Sequence, residues 1–179
     1  MTDKLTVNVL ASLVLYDVST GMLFWKHRNS DLFPDKRIAN TWNSRFAGKL
    51  AFSQIQTSGH FGGRILGVNY KAHRVAWAIH YGEWPKTNID HINCIITDNR
   101  IANLREASKS ENGRNRGKNR ANTTGYKGVC FDRWAGKYRA CVGLDNKRVY
   151  AGRFDTKEEA YAAYCEAAKK HHGPFVNLG

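Results

Sequence analysis

The chain has 179 residues, enough for one or two small domains with a real core in each. Hydrophobic residues make up 42% of it, which excludes wholesale disorder. Lys and Arg number 28 against 15 Asp and Glu, a net charge of +13 that points to a polyanionic partner.

Taken in chain order, Met1-Thr2-Asp3-Lys4 has no basic region leading into an apolar run, so no secretory leader is expected. Leu13 to Val18 and Met22 to His27 read as strands around the turn Ser19-Thr20-Gly21. Arg28 to Asn43 is polar and reads as irregular. Lys49 to Phe52 and Arg64 to Val68 read as short strands among glycines, and His73 to His80 as a helix stopping near Gly82 and Pro85. Ile89 and Ile92 flank Asp90-His91 in a strand, Thr97-Asp98-Asn99 supplies turn chemistry, and Leu104 marks a returning strand. Ser108 or Ser110 caps a short helix that contains Asn112. Gly113 to Gly125 is basic and poor in apolar residues, with 118–124 expected as a flexible linker. Beyond it, Gly125 to Phe131, Lys137 to Val142 and Lys147 to Phe154 read as three strands, the last two joined at Asp145-Asn146. A final helix is expected from Asp155, with Glu158 completing its cap.

No apolar run approaches the roughly 18 residues that span a bilayer, so nucleic acid is expected over a membrane surface. Cys94, Cys130, Cys141 and Cys165 form no C-x-x-C pair and read as thiols in a reducing cytoplasm.

The densest chemistry lies in one stretch. Asp90 stands beside His91, with Asn103 and Asn112 following at short range. Phosphodiester hydrolysis needs a base to deprotonate water and positive charge to stabilise the phosphorane and the departing oxygen. His91 suits the base, since its ordinary pKa lies near neutrality. The Asp90 carboxylate and the Asn112 side-chain carbonyl are two hard oxygen ligands, suited to Mg²⁺ or Mn²⁺. Asn103 is expected to orient His91 or to tie the strands together. Asn115, about one helical turn on, is the rival to Asn112. His73 reads as a packed structural histidine, His60 as a loop residue, and His171 and His172 as helix-end residues.

The runs Ile89-Asp90-His91-Ile92-Asn93, Asp98-Asn99-Arg100-Ile101, Asn103-Leu104-Arg105-Glu106 and Ser110-Glu111-Asn112 resemble the HNH endonuclease family, in its phage and bacterial homing-type branch. The segments Ala72-His73-Arg74-Val75-Ala76-Trp77 and Gly82-Glu83-Trp84-Pro85 look like that branch too. The resemblance implies a ββα-metal core at about 88–116. One departure stands out. The loop after the catalytic strand usually reads Asn-Gly, whereas here it is Asn93-Cys94-Ile95-Ile96.

In the C-terminal part, strand alternation puts Tyr138, Ala140, Val142, Val149 and Ala151 inward. Lys137, Arg139, Cys141, Arg148 and Tyr150 then face outward, and Arg153 falls on the inward parity. Such a basic, aromatic row suits a DNA groove. Gly125-Tyr126-Lys127-Gly128-Val129, Trp134, Gly136-Lys137-Tyr138, Arg148 to Phe154 and Glu158-Glu159-Ala160 resemble the plant ethylene-response-factor (Apetala-two) DNA-binding domain. That resemblance places Lys127, Trp134, Arg148 and Tyr150 at DNA. Cys130, Asp132 and Cys141 depart from it, so the plant target sequence does not carry over.

The expectation is therefore an α+β protein: an HNH domain at 1–117 with an N-terminal β-rich extension, the basic linker, and at 125–179 a three-stranded antiparallel sheet packed on one helix. It is expected to be a Mg²⁺- or Mn²⁺-dependent endonuclease that nicks double-stranded DNA. Expected DNA contacts are Arg114, Arg116, Lys127, Trp134, Lys137, Arg139, Arg148 and Tyr150. A monomer in the cytoplasm of a bacterium or a phage-infected cell is anticipated. The rival readings are a non-catalytic DNA-binding regulator and an RNA-binding protein.

Overall fold

In the computed structural model, which describes residues 5–144 and 147–179, the chain parts into two compact units, Met1–Glu106 and Ala107–Gly179. In the first, the Thr6 hydroxyl accepts from the Val9 amide and starts α1 (Val7–Leu13), a helix absent from the sequence expectation. β1 (Val14–Tyr16), β2 (Leu23–Trp25) and β3 (Leu50–Ala51) follow as an antiparallel sheet.

The stretch expected to be irregular holds a second helix, α2 (Lys36–Phe46). Asp35 caps it, accepting from Ile38 N at 2.8 Å. Ala39, Trp42, Asn43 and Phe46 share one helical face, and Trp42 takes the Arg28 guanidinium 3.9 Å from its ring centroid. β4 (Gln54–Ile55), β5 (Phe61–Ile65) and β6 (Val68–Lys71) form another antiparallel sheet. The strand expected from Arg64 to Val68 is in fact the β5–β6 turn, made by Leu66 and Gly67 at φ 45° and 83°. α3 (Ala72–Tyr81) ends where Gly82 turns left-handed at φ 75°. β7 (Asn88–His91) then pairs with β8 (Leu104–Ala107) in a two-stranded sheet. Leu10, Val14, Ile65 and Val75 are fully buried and form the centre of this unit's core.

The second unit opens with α4 (Lys109–Arg114), held by a capping box between Ser108 and Glu111. β9 (Val129–Asp132), β10 (Lys137–Leu144) and β11 (Lys147–Phe154) form an antiparallel sheet with β10 central. The turn expected at Asp145-Asn146 lies outside the described residues, as do Met1 to Lys4. α5 (Lys157–His172) starts one residue later than expected, with Thr156 and Glu159 forming the capping box. Its Ala160, Tyr164 and Ala168 bury against Val129, Ala140 and Val142, the expected sheet-on-helix packing.

The compact units divide between Glu106 and Ala107, ahead of the basic segment 118–124. Lys118 Nζ donates to Gly125 O at 3.0 Å and Asn122 Nδ2 to Tyr126 O at 2.8 Å, so this basic segment is fastened inside the second unit. Among the described residues no helix is long and apolar enough to cross a membrane.

Candidate functional site

Asp90 and His91 end β7, and both are buried. Asp90 Oδ2 accepts from Arg105 Nε at 2.9 Å and from Arg105 Nη2 at 2.8 Å, a pairing made across the two-stranded sheet from β8. His91 Nε2 lies 3.2 Å from Asn99 Oδ1. Burial lowers the His91 pKa below the usual histidine range, while Asn99 and Asp90 pull the other way. Burial thus favours the neutral ring.

Asn103 ties the intervening loop: its Oδ1 accepts from Asn93 N at 2.9 Å and its Nδ2 donates to Asp98 O at 2.8 Å. Asn99, read from the sequence only as turn chemistry, brings its side-chain oxygen within hydrogen-bond distance of His91 Nε2. Asn99 is itself steadied from the N-terminal hairpin, because the Tyr16 hydroxyl donates to its carbonyl at 2.8 Å. Burial raises that hydroxyl's pKa to about 12, so it stays a donor. Gly21 packs against the same loop, and a Cβ there would sit 2.4 Å from Arg100 N. The N-terminal extension thus braces the loop that holds His91.

Cys94 takes the left-handed conformation, φ 61°, at the place where the family's usual glycine would stand. The turn nevertheless closes, with Cys94 N donating to His91 O at 2.9 Å and Ile95 N to Asn93 Oδ1 at 2.8 Å. The substitution strains the loop without opening it.

Two further histidines stand beside His91. The ring centroids of His60 and His73 are 4.8 Å apart, those of His73 and His91 5.2 Å, and those of His60 and His91 5.7 Å. His73 is buried on α3, and burial together with its two neighbours lowers its pKa to about 2. His60 precedes β5 and is half-buried, its pKa also lowered by burial. His73 was expected to be a packed residue and His60 a loop residue. Those descriptions fit each alone and miss that they converge.

Asn112 is carried by the second unit, half-buried on α4. Asn115, its rival, is buried at the helix end, and its carbonyl accepts from Asn177 Nδ2 at 2.8 Å.

In the same unit the basic row is larger than alternation implied. The β10–β11 register pairs Ala140 with Gly152 but Cys141 with Tyr150, leaving Ala151 as a bulge. The extra residue reverses the parity, so Arg153 pairs with Arg139 and joins the outward face. Arg139, Cys141, Arg148, Tyr150 and Arg153 line one shallow depression on that face. Lys137 lies on it too, 3.1 Å from Asp155. Trp134 projects fully into solvent from the β9–β10 turn. Lys127, expected at DNA, donates its ammonium to the carbonyls of Arg114, Arg116 and Asn177 within the unit. Arg116 is exposed, whereas Arg114 is half-buried with Nη2 3.4 Å from Ser110 Oγ.

The HNH endonuclease family model matches residues 70–114, from β6 through α4, and the AP2 domain model matches residues 124–174, from just before β9 to just past α5. The chain matches no curated protein and no solved structure. It joins an HNH endonuclease domain to an AP2 domain.

Proposed function

We propose that this protein is a metal-dependent endonuclease that nicks double-stranded DNA, with a ββα-metal core supplying the chemistry and the AP2 domain the grip. The observation that carries this is His91: buried, next to a buried carboxylate, with its Nε2 at hydrogen-bond distance from the Asn99 side-chain oxygen, within the span matched to HNH endonucleases. With its Nε2–H donated to Asn99 Oδ1, the imidazole carries its lone pair on Nδ1, the form needed to accept a proton from water. Asn99 and Tyr16 act through His91 as positioning residues, and Asn103 fixes the loop that carries Asn99.

The donor set fits a hard divalent cation. Asp90 already holds a cationic group, the Arg105 guanidinium, on one carboxylate oxygen. Mg²⁺ or Mn²⁺ held at Asp90 would supply positive charge to the phosphorane and the departing 3′-oxygen. Outside that site, Arg139, Arg148 and Arg153 neutralise phosphates and Tyr150 and Trp134 offer aromatic surfaces to a groove. Arg116 adds to the same electrostatic field.

The same Asp90–Arg105 pair favours one second reading, a DNA-binding regulator in which the carboxylate is permanently occupied. Supercoiled plasmid separates the two. The endonuclease converts it to open circles with Mg²⁺ or Mn²⁺ and stops in EDTA or on Asp90→Ala. A pure regulator shifts the plasmid's mobility and leaves it supercoiled under every condition.

A further inference from the structure

His60 from the loop before β5, His73 from α3 and His91 from β7 are far apart in sequence, yet one ring nitrogen of each lies within 4.8 Å of the other two. Their planes are tilted by 44° to 86°, so they do not stack as aromatic neighbours would. His73 is 4% exposed, and its Nδ1 is buried with no hydrogen-bond partner among the described residues. A buried polar atom without a partner costs on the order of 1–3 kcal/mol, and native proteins normally answer it with water or an ion.

We infer that the three imidazoles form a second cation site, for a Zn²⁺-class transition metal, and that its occupancy silences His91. The binding stands on the trio's own geometry; the silencing rests on the proposed role of His91 as base.

The donor chemistry selects the ion. Three neutral nitrogens and no carboxylate suit Zn²⁺, Co²⁺ or Ni²⁺ and are poor ligands for Mg²⁺. Three protein ligands leave a fourth position for water. His60 Nδ1 lies 3.2 Å from Ser58 Oγ and His91 Nε2 3.2 Å from Asn99 Oδ1, outer contacts of the kind that fix a ligand's tautomer. Donating those N–H groups puts the lone pairs on His60 Nε2 and His91 Nδ1. A tetrahedral site with bonds of about 2.05 Å has nitrogens roughly 3.4 Å apart, against a spread of up to 4.8 Å here, so the trio closes by up to about 1.4 Å, and half-buried His60 has the room to move.

The consequence follows from electron counting. A neutral imidazole has one in-plane lone pair, and His91 cannot give it both to a metal and to a proton of water. Mg²⁺ on the oxygen ligands and Zn²⁺ on the nitrogens are therefore distinct events at adjoining places, one activating and one inhibitory.

Cobalt(II) is the probe, titrated into the full-length protein and followed by visible absorption. One equivalent is expected to bind with the intense bands of a four-coordinate ion, and added Zn²⁺ to bleach them. His60→Ala, at a half-buried loop position, is expected to weaken binding tenfold or more while its circular dichroism stays that of the native chain. His73→Gln is the second variant, with the same loss expected. Weak octahedral bands alone, or undiminished binding by both variants, would overturn the site. In the companion measurement, plasmid nicking in excess Mg²⁺ is expected to fall as Zn²⁺ fills the site, and His60→Ala to require more Zn²⁺. Cobalt binding with Zn²⁺-insensitive nicking would overturn the silencing. Absence of any Mg²⁺-dependent nicking refutes the endonuclease reading instead and leaves the cobalt result standing.

Discussion

The two units use their polar residues in opposite ways. The first keeps Asp90, His91, Asn99, Asn103 and His73 inside, where each position is fixed by a named contact or by packing. The second buries mainly alanines, valines and a tyrosine, with Asn115 and His172 as buried polar side chains, and sets Arg148, Arg153, Tyr150 and Trp134 at its surface. Interior polar groups are sensitive to single atoms, because an unmet partner in low dielectric is costly. Surface charges act collectively through a screened field, and losing one changes little. The contrast suits a division of labour between reacting with a phosphate and holding onto a helix of them.

The largest effect is expected inside the first unit. Arg105→Met removes a guanidinium 2.8 Å from a buried carboxylate, and should cost about 3–5 kcal/mol in urea unfolding. Adding Asp90→Asn to that variant should restore much of the loss. A cost below about 1 kcal/mol would mean that Asp90 is screened like a surface group, and the contrast between the units would collapse.

Acid should unfold the first unit early. Folded His73 has a pKa of about 2, whereas the unfolded chain restores it to about 6.5. The unfolded state thus binds the extra proton, and stability that is whole above about pH 6.5 is lost as pH falls below it. From His73 alone the loss is on the order of 2 kcal/mol by about pH 5. His60 and His91, also lowered by burial, act in the same direction. Trp25, Trp42, Trp77 and Trp84 report this unit by fluorescence, and His73→Gln should flatten the pH dependence.

In the second unit the effects should be small and additive. Arg148→Ala and Arg153→Ala should each lower the salt slope of DNA binding by up to about 0.9, without moving the melting temperature. Lys127→Ala should do the reverse, destabilising the unit and leaving the slope alone. If Arg153→Ala binds DNA with an unchanged slope, the row ends at Arg148 and Tyr150.

The smallest effect is a gain. Cys94→Gly should stabilise the first unit by up to about 1 kcal/mol, since φ 61° costs a non-glycine residue and costs glycine little. A loss on that substitution would show that the Cys94 side chain contributes more than its strain.

Much of this was legible beforehand, and the misses have physical causes. Asp90-His91, the Gly82 stop and the Ser108 cap are local, so spacing and residue type specify them. α2 was hidden because its buried face includes Asn43, a polar residue in an apolar role that accepts from Arg28 N at 2.9 Å. Arg153 was misplaced because alternation assumes an unbroken strand. Gly152, at φ 135°, was the available sign of a bulge beside it. The convergence of His60 on His73 and His91 left no trace in spacing at all, being a product of how β5, α3 and β7 pack.

The central claim is that chemistry and grip reside in different units, and His91→Ala tests it most directly. Nicking rate and DNA affinity are to be measured on the same preparation in Mg²⁺. Cleavage is expected to fall by a factor on the order of 10² or more, with the dissociation constant unchanged within about twofold. Undiminished nicking by a properly folded His91→Ala protein would contradict the account.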